Sequence, residues 1–351
     1  METTITITTI NEASDFLRGL CENIHNYNHA DVDILIIGDK KTPDITGYCK
    51  TLNNKYRIPI EYLDVKNQNK IIPQPLLNMF DYNTPDRTIL GGMISYIRGS
   101  QRIIALDDDN FVTDADFVGL HSRVGKVQNT QLVKSDTGWY NVHESLEAGV
   151  KFYPRGYPFG QRGKDGRISI SSERVRTVVN QGLVLGDPDI DAVQRLAHPI
   201  NASEMNNKHE AQYGLLETWS PFNYQNTCLC RDLIPCYFRP KSGLRNADIW
   251  TAYIFNKLAE HMGDVITFGQ PLVKQDRNEH DLLDDLDVEF QNNKETDYFC
   301  EVLRDVDLSE NTYLQALNEL IYSVKIDDKH PMTKSFFEEY KMWLKAIDKV
   351  L

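Results

Sequence analysis

The sequence predicts an α/β fold: an open sheet flanked by helices, followed by a helical C-terminal region. Three observations carry this. Short β-branched or apolar runs alternate with helical periodicity over the first 120 residues. A continuous apolar run, Val32–Ile37, closes on Gly38-Asp39, as a strand buried on both faces of a parallel sheet does. Beyond Glu295 only helical periodicity remains.

In chain order, Thr3–Ile10 is expected as a strand because Thr and Ile dominate it. A helix is expected from Ala13 to about Asn26, with Phe16, Leu17 and Leu20 on its apolar side. Val32–Ile37 and Ile60–Val65 are the second and third strands, Thr88–Ile97 a short helix containing Gly91-Gly92, and Arg102–Leu106 the fourth strand. The middle, from about 130 to 245, is rich in Gly, Pro, Asn and aromatics and is expected as long loops carrying binding residues. Ala247–Ala259 returns to helical periodicity, residues 279–289 are strongly acidic, and helices are expected at Asp297–Leu303, Tyr313–Val324 and Met332–Leu351. A division follows: a binding domain over 1–295 and a helical extension over 296–351.

The chain of 351 residues carries 51 acidic against 38 basic side chains, a formal charge of −13 that disfavours nonspecific binding to nucleic acid. At 41% hydrophobic it can bury a substantial core. No apolar run approaches the roughly 18 residues of a membrane span. Met1–Thr9 lacks the basic flank and apolar stretch of a secretory signal. Six Cys without a Cys-x-x-Cys pair are expected as reduced, buried thiols, so the expected location is cytoplasmic. Homo-oligomerisation stays open.

The sharpest local signal is Ile103-Ile104-Ala105-Leu106-Asp107-Asp108-Asp109-Asn110. Three carboxylates at the carboxyl end of a buried strand occupy the place where open α/β sheets bind ligands. Asp107 and Asp109 share one side by strand alternation, and hard oxygen donors suit Mg²⁺ or Mn²⁺ shared with substrate phosphates. The bland reading is a solvated acidic turn. A second signal is Tyr153-Pro154-Arg155-Gly156-Tyr157-Pro158-Phe159-Gly160-Gln161-Arg162, where two Arg on a Pro-stiffened segment can grip a diphosphate or sit idly on a loop. In Gly186-Asp187-Pro188-Asp189-Ile190-Asp191-Ala192 the carboxylates can accept from sugar hydroxyls or form an ordinary turn. Asp248, in Asn246-Ala247-Asp248-Ile249-Trp250, opens a helix and can cap it or bind ligand.

In this order and spacing the four segments resemble the reversibly glycosylated polypeptides, whose plant members are UDP-arabinopyranose mutases. The matching residues are Asp107, Asp108 and Asp109 with Phe111-Val112; Arg155-Gly156-Tyr157-Pro158-Phe159 with Arg162; Gly182-Leu183-Val184-Leu185 with Pro188, Asp189, Asp191 and Ala192; and Asp248 with Trp250. The resemblance covers residues 100–255 well and the N-terminal strands loosely. It implies a glycosyltransferase-A-like open mixed sheet, a divalent cation (Mn²⁺ or Mg²⁺), no flavin, and pyranose–furanose interconversion of a nucleotide-diphosphate sugar, UDP- or GDP-linked. A metal-dependent glycosyltransferase with a separate acceptor is the alternative.

On this reading Asp107 and Asp109 hold the metal. Arg155, Arg162, Asp189 and Asp191 serve the reacting sugar, with Arg155 matching the reversibly glycosylated Arg. Asn11, Glu12, Asp39, Arg87, Asp107, Asp108 and Asp248 bind the nucleotide sugar. The chain departs from the family at Gln275, which aligns with a His that would be a late metal ligand, and at Gly163–Arg176, an insert longer and more basic than the plant pattern.

Overall fold

The computed structural model describes residues 2–12, 14–277 and 281–350. Its strands are β1 (Thr3–Thr9), β2 (Val32–Gly38), β3 (Ile60–Leu63), β4 (Arg102–Asp107), β5 (Asn110–Val112), β6 (Val127–Ser135), β7 (Leu146–Glu147), β8 (Ile168–Gly186), β9 (Glu204–Met205), β10 (Gln212–Leu215), β11 (Thr227–Cys230) and β12 (Val265–Gln275). Ten of them form one mixed sheet in the order β3-β2-β1-β4-β11-β8-β6-β10-β12-β5, and β8 also pairs with β12. The expected open mixed sheet flanked by helices, with a helical C-terminal region, is the observed architecture.

The first half is parallel: β1 lies between β2 and β4, and β2 pairs with β3. Helices cover both faces, so even the threonines of β1 are buried, except Thr8, which is half-buried. Thr4 Oγ1 donates to Asp33 Oδ1 at 2.7 Å and lies 2.7 Å from Ser100 Oγ, whereas Thr8 Oγ1 has no hydrogen-bond partner among the described residues. The helix Thr88–Ile97 lies close against this layer through Gly91, where a Cβ would stand 3.1 Å from Ile37 and 3.2 Å from Thr6. The parallel strands all end toward one side, and the chain segments leaving them meet there.

The middle of the chain departs from expectation. Residues 130–245 are not mainly loops; they contribute much of β6, all of β8, β10 and β11, and the small β7–β9 pair. Most of the Gly163–Arg176 insert is the first half of β8, which pairs with β6. Residues 168–174 are exposed, so Ser and charged residues mask the strand in the sequence.

Other boundaries shift less. β1 ends at Thr9, β3 at Leu63, and β4 reaches Asp107. The first helix is described as Ser14–Asn26, Ala13 lying outside the described residues. The acidic segment is described from Asp281, whose side chain caps a helix running Leu282–Arg304, so the helix expected at 297–303 starts much earlier and contains the 295/296 division. Residues 279 and 280 lie outside the described part. The last helices are Tyr313–Ser323 and Pro331–Ile347, with Leu351 outside the described residues. Trp250, in the helix Ala247–Met262, stacks on Phe299 at 4.4 Å, and Phe336 closes on both edge to face. The C-terminal helices thus brace the helix that carries Asp248. All six Cys are free and buried, and no helix among the described residues is long and apolar enough to cross a membrane.

Candidate active site

A cleft of about 560 Å³ opens where the strands end. Thr8–Asn11 arrive from β1, Asp39 from β2, Asp107–Asp109 from β4, Asp189 from beyond β8 and Gln275 from β12, while Arg155 and Asp248 come from a loop and a helix start. One site therefore gathers residues up to 280 positions apart, Thr8 to Val288, because parallel strands deliver their loops to a common edge.

The three aspartates have different neighbours. Asp108 accepts from Thr9 Oγ1 at 2.5 Å and Asn11 Nδ2 at 3.2 Å. Asp109 accepts from Gln275 Nε2 at 3.1 Å and Asn110 Nδ2 at 2.7 Å. Asp107 has neither hydrogen bond nor ion pair among the described residues. Its side chain is open to the cleft, yet protein surrounds it on the other sides. Desolvation by that surround, followed by the Asp109 charge, pushes its carboxyl up to about 7. Cleft water moderates that push without reversing it.

No group of three or more His, Cys, Asp or Glu converges as an ion cage among the described residues. The donor set nevertheless fits a hard divalent cation. The Asp109 charge adds to the cost of charging Asp107, and a cation between carboxylates and substrate oxygens relieves it; Mg²⁺-type sites commonly use only one or two carboxylates plus phosphates. The late position holds Gln275, a neutral donor to Asp109, as the sequence shows.

Arg155 is the most heavily bonded side chain of the cleft. Nε donates to Asp189 Oδ1 and Oδ2 at 3.0 and 2.9 Å. Nη2 reaches Asp248 Oδ2 at 3.1 Å, and Nη1 donates to Asp248 Oδ1 at 3.3 Å and to the Arg245 carbonyl. Burial opposes its charge, but Asp189 and Asp248 outweigh burial and hold the guanidinium protonated well above its ordinary value. Burial likewise opposes charge on Asp189, and Arg155 and then Arg277 bring its carboxyl well below the usual range. Asn223 Nδ2 adds a donor to Asp189 Oδ2 at 2.8 Å. Asp248 does not cap its helix through the side chain as an N-cap; Asn246 is at that position.

The next residue sets the geometry. Gly156 has φ +72°, and a Cβ there would lie 2.4 Å from Ile249 Cγ2. A glycine is needed on both counts, since the loop turns back against the helix start in a left-handed conformation.

Other expected residues lie elsewhere. Arg162 and Asp191 do not line the cleft; they pair with each other at 2.5 Å. Asp191 also caps the helix Ala192–Ala197 through the Gln194 amide at 3.1 Å, and Arg162 lies over the Phe159 ring at 3.8 Å. Arg87 is buried beneath the cleft, 3.6 Å from Asp39 and donating to Gln68. Asp39 reaches the cleft and anchors the Asn83 amide at 2.5 Å; Glu12 is exposed and does not line the cleft.

Sequence reasoning missed Asn223, Arg239, Arg245 and Arg277 in the lining. Arg239 and Arg245 precede the Asp248 helix in a run, Phe238-Arg239-Pro240-Lys241-Ser242-Gly243-Leu244-Arg245, whose Pro and Gly mark a loop and whose basic residues were the available signal.

Comparison with known proteins adds one sequence relative. Over 271 residues the chain is 26% identical to a protein named probable UDP-arabinopyranose mutase 4 from Arabidopsis thaliana, with 73% of this chain and 65% of that protein covered. The chain resembles a UDP-arabinopyranose mutase. That alignment is longer than the 100–255 segment carrying the motifs, so the resemblance to the mutase extends beyond them. The chain spans just under two thirds of the relative's length. No family model matches the chain.

Solved structures align loosely. They include S. aureus TarS 1-349 in complex with UDP-GlcNAc, at 11% identity and TM-score 0.37 over 99% of this chain and 92% of that one. Another is a mannosyltransferase from Pyrobaculum calidifontis in complex with GDP-Man and Mn²⁺, at 8% identity and TM-score 0.41 over 97% and 75%. Glucosyl-3-phosphoglycerate synthase from Mycobacterium tuberculosis, with Mn²⁺, UDP and glucosyl-3-phosphoglycerate, aligns at 11% identity and TM-score 0.40 over 86% and 80%.

Proposed function

We propose that this protein is a flavin-independent mutase that interconverts the pyranose and furanose forms of a UDP- or GDP-linked sugar. The observation that carries the reading is Arg155, held between Asp189 and Asp248 in the same cleft as the Asp107–Asp109 triplet. The likeness to the Arabidopsis thaliana protein supports it.

Ring interconversion breaks the bond from the anomeric carbon to the diphosphate, opens the sugar, recloses it through another hydroxyl and re-forms the bond. Mn²⁺ or Mg²⁺ on Asp107 and Asp109 would supply electrostatic stabilisation of the departing diphosphate. Asp108, fixed by Thr9 and Asn11, accepts from substrate hydroxyls at the edge of the cleft. Two carboxylates keep Arg155 charged, so its role here is an electrostatic clamp that holds the freed sugar, and not a nucleophile. Asp189 and Asp248 orient that clamp. Arg162 and Asp191 brace the Arg155 segment from behind: Arg162 donates to the Tyr157 carbonyl, and Asp191 holds Gln194, which donates to the Tyr153 carbonyl.

The transferase reading has one observation of its own. A second cavity of about 460 Å³, lined by Trp139, Tyr153, Lys164 and Asp165, shares His143 with a small pocket that touches Arg155, and could seat an acceptor. Incubating UDP- and GDP-pyranoses with the protein and Mn²⁺ in the absence of acceptor separates the two. A mutase gives the furanose nucleotide and reaches the same ratio from either isomer. Release of nucleoside diphosphate only when an acceptor is added, with no furanose nucleotide, overturns the proposal.

A further inference from the structure

Four arginines line the cleft, and three are committed to protein partners. Every nitrogen of the Arg155 guanidinium donates to Asp189, Asp248 or the Arg245 carbonyl. Arg245 donates from Nε to Glu289 at 2.9 Å and pairs through Nη1 with Asp285 at 2.9 Å. Arg277 donates to Gln275 at 3.2 Å and lies 3.3 Å from Asp187 and 3.6 Å from Asp189.

Arg239 is different. Its guanidinium makes no hydrogen bond among the described residues, and Nε is buried without a partner. The one carboxylate within ion-pair range is Asp86, at 3.7 Å, too long for a hydrogen bond. The side chain is 12% exposed: Nε is buried, while the terminal nitrogens, unbonded to protein among the described residues, are open to the cleft. The backbone leading to it is anchored: Tyr237 stacks on Tyr224 at 3.8 Å and Phe238 on Trp343 at 5.0 Å. A cation on an anchored backbone, with no hydrogen bond to protein and its terminal nitrogens facing a cleft, is placed to receive an anion.

We propose that Arg239 is the residue that grips the diphosphate of the nucleotide sugar. This rests on the nucleotide-sugar reading above and deepens it, giving Arg239 the phosphate fork that the sequence suggests for Arg155 and Arg162. Arg239 lines the same cleft as the Asp107–Asp109 triplet, Arg155 and Asp248, so a diphosphate bound there is within the reach of its terminal nitrogens.

The test measures binding of UDP, GDP, uridine and guanosine with Mn²⁺ by calorimetry, in wild type, Arg239→Gln and Arg239→Lys. For the diphosphate that wild type binds, Arg239→Gln is expected to lose about thirtyfold in affinity, the size of charged hydrogen bonds removed. The matching nucleoside, which lacks phosphates, should bind all three proteins equally. Arg239→Lys keeps the charge without the fork and should fall between. Should Arg239→Gln fail to fold, the Lys variant decides: an affinity at least several-fold below wild type supports the proposal, and wild-type affinity overturns it. A folded Arg239→Gln that binds the diphosphate within about twofold of wild type, well short of a lost charged hydrogen bond, also overturns it. Wild type binding neither diphosphate would instead remove the nucleotide-sugar reading itself, and this proposal with it.

Discussion

Asp189 accepts two hydrogen bonds from Nε of Arg155, at 3.0 and 2.9 Å, in a pair that is about nine-tenths buried on each side. Removing one partner strands a buried charge. Asp189→Asn should therefore cost about 3 kcal/mol of stability at neutral pH, read as a fall in the denaturant midpoint. The pH dependence follows from Asp189 having its carboxyl depressed in the folded state. Its contribution is fully present above the unfolded carboxyl value of about 4 and is lost as pH falls below it. The gap between wild type and variant should hold steady from pH 8 to 5 and narrow below 4. An Asn variant as stable as wild type at pH 7 would show that the pair contributes nothing net.

The Asp107 carboxyl runs the opposite way. It is raised in the folded apo protein to about 7, so protons compete with a cation there. Mn²⁺ affinity should rise between pH 6 and 8, approaching tenfold per unit on the acid side. Asp107→Asn should lose most of the affinity and the pH dependence together, and a chelator in excess should stop turnover. Affinity that is flat over this range in wild type would exclude Asp107 as a ligand.

The sequence made the first half of the sheet legible because β1, β2 and β4 are apolar or β-branched runs with clear ends, and the Asp triplet stands where such a strand stops. Asp189, Asp248 and Arg155 were legible as polar residues in a motif, but their mutual bonding was not, since they lie 34 and 93 positions apart. β8 was missed for a physical reason: residues 168–174 are exposed, so solvent permits the Ser and charged residues that read as loop. Arg162 and Asp191 read as site residues because a charged pair behind a site carries the same letters as one inside it. Arg239 was legible only as a basic residue in a Pro- and Gly-marked loop; that its guanidinium makes no hydrogen bond appears only in the folded chain.

Arg155 and Arg162 should separate in kinetics. Arg155 touches the cleft and bonds through its planar fork to two carboxylates, whereas Arg162 bonds to Asp191 behind it. Arg155→Lys should reduce kcat by roughly 100-fold or more, since Lys cannot satisfy Asp189 and Asp248 together. Arg162→Lys should lower stability by about 1 kcal/mol, the scale of a weakened ion pair, while leaving kcat within a few-fold of wild type. Equal losses of kcat in the two variants would return Arg162 to the reacting sugar.

Gly156 tests whether the clamp depends on loop shape as well as on charge. A methyl group at this position meets Ile249 Cγ2 at 2.4 Å, and the φ of +72° adds strain for any L side chain. Gly156→Ala should destabilise by about 2–3 kcal/mol, combining left-handed backbone strain with overpacking. The relief available is specific: Ile249→Ala removes the clashing atom at the cost of a cavity, so the double variant should lose less than the sum of the two single losses. Backbone strain is untouched by the second change and should persist as a residual loss. Because Ile249 adjoins Asp248, displacement of the loop should also lengthen the Arg155–Asp248 contacts, and turnover in Gly156→Ala should fall even at temperatures where the variant is fully folded. Additive stability losses in the double-mutant cycle would mean that the loop and the helix start yield independently, and that the clamp does not rest on their close approach.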